Sequence, residues 1–487
     1  MTDHSQSLLE RLRAHGAEGY LSLHMPGHKE NTALAPYLSA LGAGMDITEL
    51  PTFDDLHAPE GILAEGMERA GALWGSEKSL FQVNGSSGGL LAAIRGATQR
   101  GDRVLVARNC HKSIYHGLEL CGLEPVFLVP PTVPEFGIAG SLSPEQVAAE
   151  LDRYPDCKLV IYPSPTYDGV MSDTAGICAV AHSRGVPVLV DEAHGAHLGF
   201  SPDFPQSAVQ GGADLVVASL HKMLPSLTQT AILHINGSLV DVNQVIRQAG
   251  IFQSSSPSYL LMASMDGCVR LLEERGPALF AQWSRRLAAF DSLAAGLRHL
   301  RLLGHGREAG ARYENIFALD PAKIVISTRR SALSGVSLME ALREESHIEL
   351  EMALEDYATA MTGLGTDDAM PRRLAEALQT LDDRYGPAST PPAEASALPP
   401  LPRRGLSIEA AVRSPGELVP LEKSVGRVSG AYLWAYPPGI PLITPGEVLS
   451  GELADTLLRL RQAGVKLVGT GGEPPRTVLV LKEGGSA

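Results

Sequence analysis

Two segments decide the fold of this chain: VPVLVDEAHGAHL at residues 186–198 and DLVVASLHKML at residues 214–224. Each contains a run of Val and Leu residues at successive positions, which is typical of a strand buried on both faces of a parallel sheet. Asp191 stands where the first run stops, and the second run leads into Lys222. The spacing fits one strand–helix–strand crossover, and open parallel sheets bind ligands beyond the carboxyl ends of their strands. We therefore predict that Asp191 and Lys222 face one pocket.

The same alternation of short apolar runs and helical stretches extends on both sides of these segments. It predicts an α/β fold in which a mostly parallel sheet is covered by helices on both faces. The predicted strands lie at 80–83, 103–106, 124–129, 159–162, 186–190, 215–218 and 231–235, with helices at 90–100 and 113–121.

The second half of the chain indicates a smaller domain and a separate tail region. A helical stretch at 260–297 precedes a strand at 323–327 and helices at 336–345 and 370–385. Residues 387–402 carry Pro, Ala and Ser with few charges, which is typical of a linker. We predict an N-terminal arm at 1–48, a large domain at 49–275, a small α/β domain at 276–386, a Pro-rich linker at 387–404 and a C-terminal domain at 405–487.

Length and composition describe a large acidic globular chain. It has 487 residues, of which 44% are hydrophobic, and a formal net charge of −15. A chain this long and this apolar buries a large core, which excludes general disorder. The negative net charge opposes binding to nucleic acid and to anionic membranes, and the chain has no Lys/Arg-rich run that would offset it locally. The 5 cysteines form no C-x-x-C pair and we find no signal peptide, so we expect a cytoplasmic protein.

Lysine and aspartate at neighbouring strand ends are the residue types that pyridoxal phosphate requires. A lysine amine holds the cofactor aldehyde as a Schiff base. A carboxylate beside the ring nitrogen keeps that nitrogen protonated, so that the ring accepts electrons. Lys222 and Asp191 therefore form a candidate cofactor site. For these two residues alone, the alternatives are a buried ion pair or two solvated loop residues.

A loop rich in glycine and serine supplies a second candidate binding feature. Val83-Asn84-Gly85-Ser86-Ser87-Gly88-Gly89 joins a predicted strand to a predicted helix. Small residues such as Gly85 let backbone N–H groups approach a phosphate, and the hydroxyls of Ser86 and Ser87 add donors at a helix N-terminus. The loop lacks the dinucleotide fingerprint and the P-loop pattern. An ordinary glycine-rich turn is the alternative.

Histidines and a polar loop follow other predicted strands. His111 could stack on a flat ring from the face opposite the lysine. His194 and His197 lie three residues apart beside Asp191, so a metal site must be considered. Because the H-E-x-x-H pattern is absent, we expect no metal there. The loop at 166–169 is a further polar strand end, and a simple Asp-Gly turn is its alternative.

A series of short motifs resembles the ornithine/lysine/arginine decarboxylases. The motifs run from about residue 20 to 450 in the order of that family, and together they are highly specific. They are LHMPGHK (23–29), DITEL (46–50), DLH (55–57), VNGSS (83–87), NCHKS (109–113), DEAHGAH (191–197), SLHKML (219–224), SSSPSY (254–259), PGIP (438–441) and PGE (445–447).

The resemblance implies a fold-type I pyridoxal-phosphate enzyme and assigns roles to the matching residues. Lys222 would be the Schiff-base lysine, Asp191 would pair with the pyridinium nitrogen, and His111 would stack on the ring. The other implied cofactor residues are Gly85, Ser86, Ser87, Ser219 and His221 at the phosphate, Ala193 and His194 on the other face, and Ser255 and Ser256 reaching the phosphate of a neighbouring subunit. A homodimer or a higher homo-oligomer with shared active sites is implied as well.

The implied reaction is α-decarboxylation of a basic amino acid. Only about twenty residues precede the first motif, whereas large family members carry a receiver-like domain there, so the chain resembles the short biosynthetic type. That resemblance favours arginine, converted to agmatine and CO₂ in polyamine biosynthesis. Lys222 or His221 would return a proton to Cα. The acidic candidates for the substrate side chain are Asp46, Glu49, Asp54, Asp55 and Glu447, without ranking.

Four alternatives stay open at this point. Lysine or ornithine is the substrate in the first, and another fold-type I activity, an aminotransferase or a lyase, is the second. The third is a non-catalytic regulatory homologue that keeps the fold, which an intact Lys222 and Asp191 disfavour. The fourth is a metal-dependent hydrolase that uses the region of His194 and His197.

Overall fold

A seven-stranded sheet forms the centre of the computed structural model, which describes residues 6–31, 33–304, 312–389, 399–436 and 439–482. The strands of this half are Lys78–Gln82 (β1), Arg103–Ala107 (β2), Glu124–Leu128 (β3), Thr132–Val133 (β4), Ile138–Ala139 (β5), Val160–Pro163 (β6), Val170–Met171 (β7), Val188–Asp191 (β8), Leu215–Ser219 (β9) and Ala231–Ile235 (β10). The central order is β1-β10-β9-β8-β6-β2-β3. Strands β9, β8, β6, β2 and β3 run parallel, and β10 pairs antiparallel with both β9 and the edge strand β1.

Helices join and cover these strands. They are Leu8–Ala17 (α1), Pro36–Ala40 (α2), Ile62–Trp74 (α3), Gly85–Ala97 (α4), Lys112–Cys121 (α5), Pro144–Arg153 (α6), Thr174–His182 (α7), Leu220–Met223 (α8), Val242–Phe252 (α9) and Tyr259–Ala294 (α10), with a 3₁₀ turn at Ala43–Met45. The residues of β8 and β9 are all buried, because helices pack on both faces of the sheet. Within the described ranges, no helix is both long and apolar enough to cross a membrane.

A smaller antiparallel sheet follows the long helix α10. Its strands are Arg301–Leu302 (β11), Lys323–Ser327 (β13), Met352–Ala353 (β14) and Tyr357–Met361 (β15), in the order β11-β13-β15-β14, and its helices are Gly335–Ser346 (α11) and Met370–Tyr385 (α12). Ala318–Leu319 (β12) pairs instead with β7. This pairing ties the small sheet to the loop that follows β6 of the central sheet.

The last part of the chain packs against the strand ends of the central sheet. It consists of Gly416–Pro420 (β16), Leu433–Ala435 (β17), Pro441–Ile443 (β18), Leu467–Gly469 (β19) and Thr477–Leu481 (β20), with helices Ile408–Arg413 (α13) and Gly451–Gln462 (α14) and a 3₁₀ turn at Leu421–Lys423. Strands β16 and β20 form one ribbon, and β18, β17 and β19 form a second small sheet.

A buried ion pair connects this C-terminal region to the central sheet. Arg108 follows β2, and its Nη2 lies 3.0 Å from Oε2 of Glu447, with both side chains almost fully buried. The Arg108 guanidinium also lies over the rings of Tyr115 and Phe127. Because leaving either charge of a buried pair without its partner is costly, this contact holds the C-terminal region firmly against the loop that follows β2.

The predicted α/β class with a mostly parallel central sheet is confirmed. Helix α4 begins at Gly85 rather than at Leu90, because the glycine- and serine-rich loop itself forms the first helical turn. The predicted boundary at 275/276 falls inside α10, where Pro277 is accommodated without ending the helix. Of the predicted linker at 387–404, residues 390–398 lie outside the described residues. The five-part division of the chain therefore stays a prediction.

Candidate active site

Asp191 and Lys222 open onto one cavity of about 390 Å³ at the carboxyl ends of the parallel strands. Asp191 ends β8, and Lys222 lies in the short helix α8 directly after β9. Strands β8 and β9 pair in parallel, so their ends lie side by side. The cavity is lined by Gly85, Ser86, Ser87, Asn109, His111, Ala139, Pro163, Pro165, Thr166, Tyr167, Asp168, Asp191, Ala193, His194, His221, Lys222, Glu351, Tyr436 and Ile440.

Lys222 has an environment that favours a neutral amine. Its Nζ donates to Nε2 of His194 over 3.0 Å. Burial lowers the pKa of Lys222, and the negative charges of Asp191 and Glu351 oppose that shift. Burial and the nearby lysine charges hold the pKa of His194 well below its usual value, so His194 accepts this hydrogen bond as a neutral ring. A lysine in these surroundings is a better nucleophile than one in water.

Asp191 lies at the floor of the cavity. The backbone N–H of Ala193 donates to its Oδ1 over 3.2 Å. Burial raises the pKa of Asp191, while the charge of Lys222 and the N–H of Ala193 act in the opposite direction. A buried carboxylate with so few protein partners is able to pair with a cationic ring nitrogen.

His111 is held in place by the start of α5. Its Nδ1 accepts from the backbone N–H of Ser113 and lies 2.8 Å from the Ser113 hydroxyl, which in turn lies 2.9 Å from the hydroxyl of Ser87. Burial, together with the charges of Lys222 and Lys112, lowers the pKa of His111 to about 3. The imidazole is therefore neutral near pH 7, as suits a ring that covers the face of an aromatic cofactor.

The glycine- and serine-rich loop meets the cavity at the N-terminus of α4. Gly85, Ser86 and Ser87 form its first turn, and Asn84 makes no capping hydrogen bond to it with its side chain. Free backbone N–H groups at a helix N-terminus attract phosphate. Gly85 has a φ of 69°, a conformation that glycine adopts without strain.

Of the two residues Ser219 and His221, which were predicted to hold a phosphate, only His221 lines the cavity. His221 lines the cavity, and its Nδ1 lies 2.9 Å from the carbonyl oxygen of Thr230, which leaves Nε2 free of that contact. Ser219 is fully buried beside the cavity rather than in its lining, and its hydroxyl has no hydrogen-bond partner among the described residues.

Ser255 and Ser256 lie outside this cavity within a single chain. Both belong to the exposed loop between α9 and α10. Ala193, by contrast, lines the cavity. The role expected for the two serines, at the phosphate of a neighbouring subunit, needs a second copy of the chain and stays a prediction.

Several residues of the cavity were not anticipated from the sequence. The hydroxyl of Tyr167 donates to the carboxylate of Glu351, and the Tyr167 ring lies 4.6 Å from that of His194. Tyr436 and Ile440 reach the cavity from the C-terminal region. Glu351 precedes a strand of two residues and no local pattern marks it, whereas Ile440 belongs to the PGIP string and Tyr436 lies two residues before that string.

The acidic candidates predicted for the substrate side chain lie elsewhere in the described chain. Asp46 faces His28, and Asp54 accepts from backbone N–H groups at the start of α3. Asp55 accepts from the N–H of His57, and Glu447 pairs with Arg108. Glu49 does not line the cavity either, so within one subunit Glu351 is the carboxylate near its mouth.

The two histidines that were considered as metal ligands contact different residues. His194 faces Lys222, whereas Nε2 of His197 lies 2.9 Å from Oδ1 of Asp320, with both side chains fully buried. Among the described residues, no three His, Cys, Asp or Glu side chains are grouped as metal ligands would be.

The residues of the cavity fit pyridoxal phosphate. Buried polar atoms without a protein partner, Asn109 Oδ1, Asp168 Oδ1 and His194 Nδ1, lie on side chains of its lining. Buried polar groups normally find partners, so these atoms indicate a polar ligand. A phosphate fits the N-terminus of α4, a flat ring fits beside the neutral His111, and a cationic ring nitrogen fits Asp191.

The chain is similar in sequence and in fold to known proteins. Residues 7–290 match the family described as Orn/Lys/Arg decarboxylase, major domain, and residues 403–469 match its C-terminal domain. A Bacillus anthracis protein named arginine decarboxylase is 30% identical over 99% of this chain and 98% of its own length. The crystal structure of the lysine decarboxylase LdcF of Francisella novicida superposes with a TM-score of 0.82 at 20% identity, covering 99% of this chain and 82% of the other. A ureidoglycine–glyoxylate aminotransferase from Bacillus subtilis superposes with a TM-score of 0.52 at 15% identity. That match covers 67% of this chain and 85% of the aminotransferase chain.

Fold and site together define an enzyme of the fold-type I class, whose members work with pyridoxal phosphate. Within that class, the chain belongs to the Orn/Lys/Arg decarboxylase family, and it is a decarboxylase.

Proposed function

We propose that this enzyme binds pyridoxal phosphate through Lys222 and removes the α-carboxylate of arginine, giving agmatine and CO₂. The observation that carries the proposal is the shared cavity of Lys222 and Asp191 at neighbouring strand ends. The relative from Bacillus anthracis named arginine decarboxylase, which matches over the full length, supports arginine. Agmatine would enter polyamine biosynthesis.

The residues of the cavity divide the work of the proposed reaction. When bound, pyridoxal phosphate accepts the electron pair that remains as CO₂ leaves the substrate. Asp191 would keep a positive charge on the ring nitrogen, and His111, whose pKa burial lowers to about 3, would cover one face of the ring as a neutral imidazole. The first turn of α4 holds the phosphate, so that the ring keeps a fixed position.

Lys222 has two tasks in this proposal. It would hold the cofactor before the substrate arrives, and it is the first candidate for returning a proton to the substrate after CO₂ has left. Its contact with Nε2 of His194 gives that proton a short route between two nitrogens. His221 lines the same cavity and is the second candidate for the proton transfer.

Glu351 is proposed to bind the cationic end of the substrate. It lines the cavity and is exposed to solvent in a single chain, and its carboxylate accepts a hydrogen bond from the hydroxyl of Tyr167. A guanidinium presents several donors in a plane and binds a carboxylate strongly. This position therefore selects a substrate with a positive side chain.

The proposal is tested by measuring CO₂ release from arginine, lysine, ornithine and citrulline in parallel, with added pyridoxal phosphate. Arginine should give the highest kcat/KM, and citrulline, its neutral analogue, should be at least about tenfold poorer because it offers no charge to Glu351. A higher kcat/KM with lysine or ornithine would show that this amino acid, rather than arginine, is the substrate. A keto acid without CO₂ would show an aminotransferase instead, and no turnover of any of them would favour a regulatory homologue.

The same assay with Glu351→Gln isolates the recognition step. This change should lower kcat/KM for arginine roughly 10- to 100-fold, the effect of losing a hydrogen bond between two charged groups, and should leave citrulline almost unchanged. Glu349→Gln is the matched control, since Glu349 is exposed two residues away and does not line the cofactor cavity. Equal losses with arginine and citrulline would contradict the role of Glu351.

A homodimer that completes each active site is proposed as the working form. The segment at residues 20–41 contains several large apolar side chains that are each at least 61% exposed. They are Tyr20, Leu21, Leu23, Met25, Leu34, Tyr37 and Leu41. An apolar patch of this kind marks an interface. A Cβ at the adjoining residue 42, a glycine, would lie 3.4 Å from Leu260, just after the loop of Ser255 and Ser256, so one interface would bring those serines to a neighbouring cavity. Light scattering should give twice 51.6 kDa, and Leu23→Asp should lower that mass; a fully active monomer would contradict the proposal.

A further inference from the structure

One edge of the His111 imidazole lies against the backbone of Gly439, a residue of the C-terminal region. The Nδ1 side of the ring contacts Ser113 at the start of α5. On the other side, a Cβ at residue 439 would lie 3.4 Å from both Cδ2 and Nε2 of His111. The ring is therefore confined between Ser113 and the backbone of Gly439.

The backbone of Gly439 also binds the start of the helix that follows His111. The N–H of Lys112, the first residue of α5, donates to the carbonyl oxygen of Gly439 over 3.1 Å. The first N–H groups of a helix have no partner within the helix, and Gly439 satisfies one of them. The ammonium of Lys112 lies 5.1 Å from the ring centre of Trp434 and 5.2 Å from that of Tyr436, and the attraction of a cation to an aromatic face strengthens the same contact.

Two features of the structure require glycine at residue 439. Its φ of 87° lies in a region that residues with a side chain rarely adopt. Its N–H donates to the carbonyl oxygen of Ala435 over 3.0 Å, which holds the turn in this conformation. A Cβ at residue 439 would also lie 3.6 Å from Cδ2 of Tyr436, so a branched side chain would displace the ring of Tyr436 or that of His111. Both of these rings line the cofactor cavity.

We propose that Gly439 is a positioning residue that sets the place of the His111 imidazole in the cofactor cavity. Its carbonyl oxygen fixes the backbone at the start of α5, and its lack of a side chain leaves the imidazole the space that it occupies. The inference rests on the proposed binding of pyridoxal phosphate, and Gly439 itself does not line the cavity. The C-terminal region thereby takes part in holding the cofactor, through His111.

Titration of the full-length protein, freed of cofactor, with pyridoxal phosphate tests this inference. In Gly439→Val, the added methyl groups should displace the imidazole and raise the Kd of the cofactor roughly 3- to 10-fold, the effect of losing a well-placed pair of aromatic rings. The absorption of the bound cofactor measures this Kd.

Gly426→Val is the matched control for backbone strain. Gly426 belongs to the same C-terminal region and also has a positive φ, of 84°. Apart from its chain neighbours, no atom of the described residues lies within 4 Å of a Cβ built there. This variant should carry similar backbone strain and still bind the cofactor as the unmodified protein does.

A double variant shows whether Gly439 acts through His111. Added to His111→Ala, which removes the imidazole, Gly439→Val should raise Kd by less than about twofold further, because two residues that act through one contact have non-additive effects. The unfolding temperature of the cofactor-free protein is a second readout. It should fall more in Gly439→Val than in Gly426→Val, and this excess should vanish in the His111→Ala background. If Gly439→Val does not fold, Gly439→Asn takes its place with Gly426→Asn as its control, since asparagine tolerates a positive φ better.

Four outcomes would overturn the proposal. They are an unchanged Kd in a folded Gly439 variant, an equal rise in the matching Gly426 variant, a full further rise in the His111→Ala background, and unfolding of both Gly439 variants, which would assign Gly439 a purely structural role. A protein that binds no pyridoxal phosphate would contradict the proposed function instead. The unfolding temperatures would still show in that case whether Gly439 acts on His111.

Discussion

Replacement of Lys222 with alanine is expected to lower turnover by more than about a thousandfold and to remove the visible absorption of the bound cofactor. Lys222 is the lysine that lines the cavity, and its amine lies 3.0 Å from His194 in surroundings that favour the neutral form. Nearby cations such as Lys112 and Lys323 do not line the cavity. Absorption spectra and CO₂ release, recorded on the same preparation, measure the two losses together.

Covalent trapping makes this expectation specific to one residue. Borohydride reduction of the purified enzyme should fix the cofactor to the peptide that contains Lys222, as read by mass spectrometry. Lys78→Ala is the matched control, since Lys78 is exposed at the start of β1 and should behave as the unmodified protein does. Turnover of Lys222→Ala at the ordinary rate would show that the cofactor lysine is another residue.

Asp191→Asn is expected to retain bound cofactor but to lose activity about a hundredfold or more, the usual cost of removing one group that stabilises developing charge. The amide has nearly the shape of the carboxylate and can still accept from the N–H of Ala193. It has no charge with which to hold a proton on the ring nitrogen, so the ring becomes a weaker electron acceptor. Cofactor affinity and kcat, measured separately, distinguish weaker binding from a slower reaction.

An exposed aspartate provides the comparison for this variant. Asp203 lies on the surface after β8, and Asp203→Asn should leave both cofactor affinity and kcat unchanged. An unchanged kcat in Asp191→Asn would contradict the proposal that the charge of Asp191 keeps the ring nitrogen protonated. Loss of all bound cofactor in Asp191→Asn would instead show that the main role of Asp191 is to bind the cofactor.

The central sheet could be predicted from the sequence because its strands carry their own signal. Strands buried on both faces need apolar residues at every position, so Val188–Asp191 and Leu215–Ser219 are visible as unbroken runs. The strand ends then place Asp191 and Lys222 together without further information. The start of α4 was harder to predict, because glycine is a poor helix former and Gly85 enters the helix only where a binding loop requires it.

The substrate end of the cavity could not be predicted in the same way. Glu351 acquires its position from the small sheet and from Tyr167, which is distant in sequence, and neither contact leaves a local pattern. The acidic candidates near the N-terminus were conspicuous in the motifs, yet Asp54 serves the start of α3. Likewise Glu447 attracts notice in the PGE string, but its partner Arg108 shows only in three dimensions.

The ion pair between Arg108 and Glu447 has a consequence for how the active site is assembled during synthesis. The residues of the same chain proposed to hold the cofactor emerge from the ribosome by position 222, but one wall of the cavity arrives much later, with Tyr436 and Ile440. Until Glu447 reaches Arg108, the growing chain has a half-built pocket that is open to water on that side. The pocket is therefore complete only when the C-terminal region has joined the loop that follows β2.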